Sequence, residues 1–444
     1  MLILHSLLSE LKEEFISSEN GKERSVWFLH TLLAIIIPFT SSRTSNLLRV
    51  LRTLFGYTEI GKKRYYTFMA SPKLPWDTLW PRLWKMIPDP ETGGRLIVAL
   101  DDYINPKTGK NIFACAKVFD HAAKQNQSKY PWAQNIVVIG LLKMIKGRWA
   151  CLPLSQRYYL PEAEIKEKEP TFKGKKIDFQ SKHIQAVEML SRVAVEFPQS
   201  DIMVVTDSWF GNNGLFKPLR KELGKRAHML SRLRSNNNLF DLPAPPTRKG
   251  AGRPRKYGDK LGTTSSLALI NRERAREMTV NLYGKVRTVL AYDQVVMQKT
   301  LKCRIRVVWV YRRRQWVALF STDLTLSVAQ IIEYYGARWK IEAGFKELKR
   351  DIGSAETQTR NPVAVKNHLD FCLMATSLTW IYACRLEKTP QRRHTVKGRD
   401  HFAFSDIRRL VTEAALDDDF PLLCPVPRKS IINTLVTALM RMAA

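Results

Sequence analysis

Hydrophobic residues near the start of the chain recur at helical spacing, in Leu4, Leu7, Leu8 and Leu11 and again in Leu47, Leu48, Leu51 and Leu54. Residues 1 to about 90 are therefore predicted to be helical. Between Ser45 and Met69, Gly56 separates two amphipathic stretches rich in Arg and Lys, which fit either a helix-turn-helix or a helical bundle with a basic, solvated face. From Arg95 the texture changes. Leu96-Ile97-Val98-Ala99-Leu100 is a continuous apolar run ending in Asp101-Asp102, the pattern of a buried strand with carboxylates at its C-terminal end. Further strands are predicted at Ile112 to Phe119, Asn135 to Met144 and Trp149 to Leu154, followed by a helix from about Phe179 to Phe197. Ile202-Met203-Val204-Val205-Thr206 forms another buried strand, and it ends in Asp207. Thr279 to Phe320 alternates as strands do, and Ser327 to Arg350 reads as one long helix.

Three strands, a helix and a strand carrying a second Asp give the order of a ribonuclease H-like sheet. The expected fold is α/β: a ribonuclease H-like mixed sheet with a β-rich insertion, a helical N-terminal region and a helical C-terminal tail. The predicted units are residues 1–90, a catalytic unit from 91–225 and 323–385, the insertion 226–322, and the tail 386–444.

Charge narrows the partner. With 72 Lys+Arg against 41 Asp+Glu the chain carries a net +31, and such a chain would repel itself unless it met a polyanion. Residues 226–316 hold 21 Lys/Arg and 5 Asp/Glu, half of the excess charge, which suggests a binding surface. Within it, Gly252-Arg253-Pro254-Arg255-Lys256 fits a hook for a narrow minor groove or a flexible basic loop. Membranes are disfavoured: Pro38 breaks the run Leu32 to Phe39, and Phe371 to Ala383 falls short of the ~20 residues that a spanning helix needs. The N-terminus, with Glu10, Glu13 and Glu14, lacks the pattern of a secretion signal, so a cytoplasmic protein is expected. The six cysteines form no CxxC pair and are expected to be reduced core residues.

On the long helix Tyr335, Arg338, Glu342 and Lys349 lie three, four and seven residues apart, within roughly 60° of one another around the axis. Lys346 falls on the same face. Intrahelical ion pairs such as Arg338 with Glu342 would explain the stripe. So would a carboxylate on a metal ion flanked by groups that grip phosphates, provided that two more carboxylates arrive from the strand ends.

The spacing Tyr335-x2-Arg338-x3-Glu342-x6-Lys349 resembles the YREK signature of DDE transposases from bacterial insertion sequences. The string from Tyr335 to Glu342 is similar to that family beyond the signature letters. Asp101-Asp102 and Val205-Thr206-Asp207-Ser208 stand where the family has its first and second aspartates, and the resemblance runs from roughly Arg95 to Arg385. It implies that Asp102, Asp207 and Glu342 are the catalytic, metal-holding carboxylates, with Asp102 preferred over Asp101. It assigns DNA contacts to Tyr335, Arg338 and Lys349, to which Lys346 is added by its place on the same helical face, and base stacking to Trp316, for which an ordinary core position is the alternative. Arg253, Arg255 and Lys256 complete the expected DNA contacts. Two divalent ions about 3.5–4 Å apart can activate water and stabilise the leaving oxygen, and carboxylates suit Mg²⁺, with Mn²⁺ substituting. The implied partners are double-stranded DNA, as element ends and target, and a second copy of the chain on DNA. No catalytic Ser, His or Cys is expected, and His121 is read as structural. A metal-dependent nuclease of the same fold without strand transfer and a transposase-derived DNA-binding protein are the competing functions.

Overall fold

The computed structural model describes residues 2–417 apart from 17–19, 58–59, 121–122, 245–254, 314 and 398–400. The chain opens with helices α1 (Leu2–Glu13), α2 (Gly21–Ile36), α3 (Thr44–Leu54), α4 (Lys62–Met69) and α5 (Trp76–Lys85). Both leucine repeats are buried. Helices α3 and α4 flank Gly56, which turns the chain with φ +70°. The α4 side chains Tyr65, Phe68 and Met69 point into the core, whereas Lys62, Lys63 and Arg64 are exposed.

Next come β1 (Arg95–Pro106), β2 (Cys115–Lys117), β3 (Trp132–Ile145) and β4 (Arg148–Tyr159), then α6 (Glu162–Lys168) and a small hairpin of β5 (Thr171–Phe172) and β6 (Lys175–Lys176). Helix α7 (Lys182–Glu196), β7 (Asp201–Thr206), α8 (Asn213–Leu223) and β8 (Ala227–Arg232) follow. Antiparallel β1, β3 and β4 join β7 and β8, which run parallel to β1, in the spatial order β4-β3-β1-β7-β8. This is a ribonuclease H-like sheet. The strand expected over Ile112 to Phe119 is only Cys115–Lys117, because this short edge segment pairs with β3 alone.

The basic region supplies β9 (Asn238–Phe240), β10 (Lys260–Thr263), α9 (Thr264–Ile270), β11 (Arg276–Leu282), β12 (Lys285–Gln298), β13 (Cys303–Arg312) and β14 (Gln315–Ser321). Strand β14 pairs with β8, with Leu319 opposite Arg232, so the insertion prolongs the catalytic sheet instead of hanging from it. Helices α10 (Val328–Ala337) and α11 (Trp339–Lys346) lead into a π-helical turn at Glu347–Asp351, then α12 (Pro362–Arg385) and α13 (Phe404–Ala415). The single helix expected over Ser327 to Arg350 is thus interrupted at Arg338. There the Arg338 amide donates to the Tyr335 carbonyl (3.2 Å) and the Ile341 amide to the Arg338 carbonyl (3.0 Å), three-residue steps that tighten the helix locally.

Helix α12 is buried along most of its length and packs against α2 and β4. The Phe371 ring on it meets Phe28 and Trp76 at centroid distances of 5.0 Å each. The apolar stretch from Phe371 to Ala383 is therefore core, and among the described residues no helix is long and apolar enough to cross a membrane. Cys115, Cys151, Cys303, Cys372 and Cys384 are free thiols, buried or half-buried; Cys424 lies outside the described residues.

Candidate active site

Strand alternation decides what each residue of β1 can reach, because successive side chains point to opposite faces. Leu96, Val98 and Leu100 pack in one core with α7 and α8 residues such as Met189 and Leu215. Ile97 and Ala99 pack in another with Ile331, Ala337 and Ile341 of α10 and α11. The two aspartates that follow inherit this division. Asp101 turns towards the α10–α11 side, where its Oδ2 accepts from Arg338 Nη1 at 3.0 Å. Asp102 turns towards α7 and pairs with Lys182 Nζ at 2.9 Å. The residue of the doublet that shares a face with Glu342 is thus Asp101, not the expected Asp102.

Asp207 comes to the same place through register. Parallel pairing of β1 with β7 runs up to Leu100 opposite Thr206, so the next residues in register are Asp101 and Asp207. Its carboxylate is oriented by the turn that follows: Oδ1 accepts from the amides of Trp209 (3.0 Å) and Phe210 (3.1 Å). The third carboxylate arrives from α11. Arg338 Nη2 donates to Glu342 Oε1 at 2.9 Å, so one guanidinium, 6% exposed, bridges Asp101 and Glu342. Burial pushes the Asp101 carboxyl up to about 7, opposed by Arg338 and reinforced by the charges of Asp207 and Asp102.

The remaining stripe residues divide. The Tyr335 ring lies 5.7 Å from the Arg338 guanidinium, and burial raises its phenol pKa despite Arg338 and Arg232 nearby. Lys349 Nζ donates to the Ile104 carbonyl at 2.7 Å and sits 4.8 Å from the Tyr103 ring; burial lowers its pKa. Tyr335, Arg338, Glu342 and Lys349 thus all face the β1–β7 end of the sheet. Lys346 departs from them and lines a separate cavity of about 450 Å³ with Arg148, Lys340, Glu347, Arg392 and Phe402. Half-buried Trp316 lines an open groove of about 730 Å³ together with Arg287, Arg312, Leu282 and Val310. Arg255 and Lys256 are exposed, while Arg253 and His121 lie outside the described residues.

Residues 14–311 match the model of the DDE superfamily endonucleases. The chain belongs to that family. No curated protein matches the sequence. The matched segment of this endonuclease includes Asp101, Asp102 and Asp207 and stops short of α10 and α11. A DNA substrate and a cutting activity follow from the family, whose members generally use divalent metal ions. Among the described residues no three His, Cys, Asp or Glu side chains stand close enough together to hold a metal ion. In this endonuclease Arg338 holds Asp101 and Glu342 on either side of itself. The donors nevertheless suit a hard cation: Asp101, Asp207 and Glu342 all offer carboxylate oxygens.

Sequence reasoning missed Lys182, Trp209 and Arg232, all of which the fold brings to this end of the sheet. Exposed Trp209 and Trp339 carried no spacing that could mark them. For Asp101 a signal existed, the shared parity with Ile97 and Ala99, but nothing in the sequence says which face of β1 meets α11.

Proposed function

We propose that this endonuclease is a transposase that nicks the ends of a DNA element and joins the exposed 3′-hydroxyls to target DNA. One observation carries the reading: Arg338 gathers Asp101 and Glu342, while Asp207, one residue past the last β1–β7 pair, is near enough for its charge to act on Asp101. Asp101, Asp207 and Glu342 would hold two Mg²⁺ ions, for which Mn²⁺ substitutes. Divalent ions held there would supply activation of the attacking water or 3′-hydroxyl and charge stabilisation of the leaving oxygen. Arg338 and Lys349, now turned inward onto Asp101, Glu342 and Ile104, become the cations that position the scissile strand's phosphates. Asp102, neutralised by Lys182, supports the strand end without holding an ion. The YREK-like spacing supports a transposase of the insertion-sequence type, and two ends brought together imply at least a dimer on DNA. Trp316, Arg255 and Lys256 extend the contact surface over the insertion, with Arg253 beside them in sequence.

The family description as endonucleases favours a second reading, a nuclease that cuts without joining. An assay on end-bearing DNA with Mg²⁺ or Mn²⁺ separates them. The parent is expected both to nick and to join a pre-cut 3′ end. Asp101→Asn, Asp207→Asn and Glu342→Gln should bind DNA as the parent does yet lose at least about a hundred-fold in both steps, the upper loss for a group that merely supports a metal site. Asp102→Asn should stay within about ten-fold. Cutting without joining would establish the nuclease, and an inactive Asp102→Asn beside an active Asp101→Asn would restore Asp102 as the first ligand.

A further inference from the structure

An exposed indole stands two residues beyond Asp207. Trp209 keeps 43% of its surface open, whereas Trp27, Trp76, Trp80, Trp84, Trp309 and Trp380 are buried. Leaving so large an apolar ring in water forgoes burial energy that these others collect. Its position is also fixed. The amide of Trp209 donates to the Asp207 carboxylate at 3.0 Å, so ring and carboxylate share one turn. The indole stacks on His183 with centroids 5.0 Å apart and planes 7° from parallel. Phe210 meets it edge-on at 4.7 Å. Burial holds the His183 imidazole below its usual pKa, and its flat ring backs the indole. Lys182 Nζ lies 5.3 Å from the indole centroid and is anchored by Asp102.

We propose that Trp209, backed by His183, is a stacking ledge for an unpaired base of the DNA strand being cut, immediately beside the scissile phosphate. The proposal rests on the reading of Asp101, Asp207 and Glu342 as the cutting centre. A π-face accepts any base, so the ledge holds the strand without reading its sequence. A rigid, pre-stacked indole has little conformational freedom to lose on binding. The surroundings favour nucleic acid over a protein partner. Lys182 offers a cation for the phosphate attached to the stacked base. A groove of about 410 Å³ begins next door at Ser208 and includes Asn212, Asn213, Arg232 and Arg234 in its lining, giving the same strand amide and guanidinium contacts onward from the ledge. Leu233, Leu301 and Phe320 also line the groove but are buried, whereas Arg232 and Arg234 are exposed, so the charge offered here is positive and suits a polyanion.

The test uses the full chain without metal, in the parent and in a Glu342→Gln background. One probe is a duplex with a three-nucleotide single-stranded tail carrying 2-aminopurine at the junction, and the other is the same duplex fully paired. The parent is expected to prefer the tailed duplex about ten-fold, the share of one base stack at about 1.4 kcal/mol, and to quench the 2-aminopurine. Trp209→Ala and Trp209→Leu should lose both the preference and the quenching while binding the paired duplex as the parent does. Trp209→Phe should retain most of each and shows that the fold tolerates the change. Preference and quenching that survive in Trp209→Ala, or that vanish equally in Trp209→Phe, overturn the ledge. Cleavage measured separately reads the other premise: Glu342→Gln that still cuts overturns the centre, whatever the aminopurine reports.

Discussion

At the residue scale the site is organised by one buried guanidinium. Arg338 makes two charge-assisted hydrogen bonds, one to Asp101 and one to Glu342, and a planar guanidinium that bridges two carboxylates fixes their geometry as well as their energy. Truncating one partner of a buried ion pair leaves the others uncompensated, which costs about 3 kcal/mol or more. Asp101 and Glu342 are both partly open to solvent, so the lower end applies. Arg338→Ala is therefore expected to lose about 2–3 kcal/mol of metal-free stability in urea titration, and millimolar Mn²⁺ should recover more stability in the variant than in the parent, because a divalent ion can replace the missing charge. Equal recovery in both proteins would mean that Arg338 does not occupy the place of a cation. The sequence made the Arg338–Glu342 pair legible as both an ion pair and part of a DNA site, and in the resting protein the ion pair is real. What it withheld was the third member, since the bond to Asp101 spans 237 positions and depends on which face of β1 is covered by α11.

At the element scale, buried strands and their terminal carboxylates were legible because a continuous apolar run of five or six residues that stops at an aspartate fits a central strand and little else. The interruption at Arg338 and the π turn at Glu347–Asp351 were not, since both arise from packing and leave no mark in helical periodicity. The π turn places Glu347 against Arg148 at 3.7 Å, and burial raises its carboxyl from the ordinary range to about 7. A group whose folded pKa lies above its unfolded value binds the extra proton in the native state. Its contribution is then complete below the ordinary carboxylate range and is lost as pH rises through about 7. Thermal unfolding of the DNA-free protein should accordingly fall between pH 5 and pH 8 more steeply in the parent than in Glu347→Gln, whose amide carries no titrating proton. The variant gains on the parent as pH rises. Parallel curves would show that Glu347 is already ionised across this range.

At the scale of the whole molecule, a plan of separate units drawn from the sequence meets a continuous core. Residues from Leu4 of α1 to Leu416, just beyond α13, belong to one buried cluster. Strand β8 lies inside the expected insertion yet completes the catalytic sheet beside β7. Texture changes at Arg95 and Arg226 marked shifts in composition, and burial does not follow them. Helix α12 explains the fusion at the N-terminal end. It packs on β4 with one part of its surface and receives α1, α2, α4 and α5 with others, and its Asn367 accepts from the Trp76 indole and donates to the Met69 carbonyl. Removing residues 1–90 would uncover the Phe371 and Asn367 surroundings and delete Leu4, Leu7, Phe28, Leu32, Trp76, Leu79 and Trp84, each essentially buried. At roughly 1.5–3 kcal/mol for each large apolar side chain, these seven alone match the whole stability of about 5–15 kcal/mol that a domain has to lose. A chain starting at residue 91 is therefore expected to be insoluble, or to keep far-ultraviolet helix and sheet signals while losing near-ultraviolet aromatic signals and cooperative melting. A soluble, cooperatively folding chain from residue 91 that still binds DNA would show instead that the N-terminal helices are a detachable unit, and it would reopen the choice between a DNA-reading helix pair and a structural bundle in favour of the former.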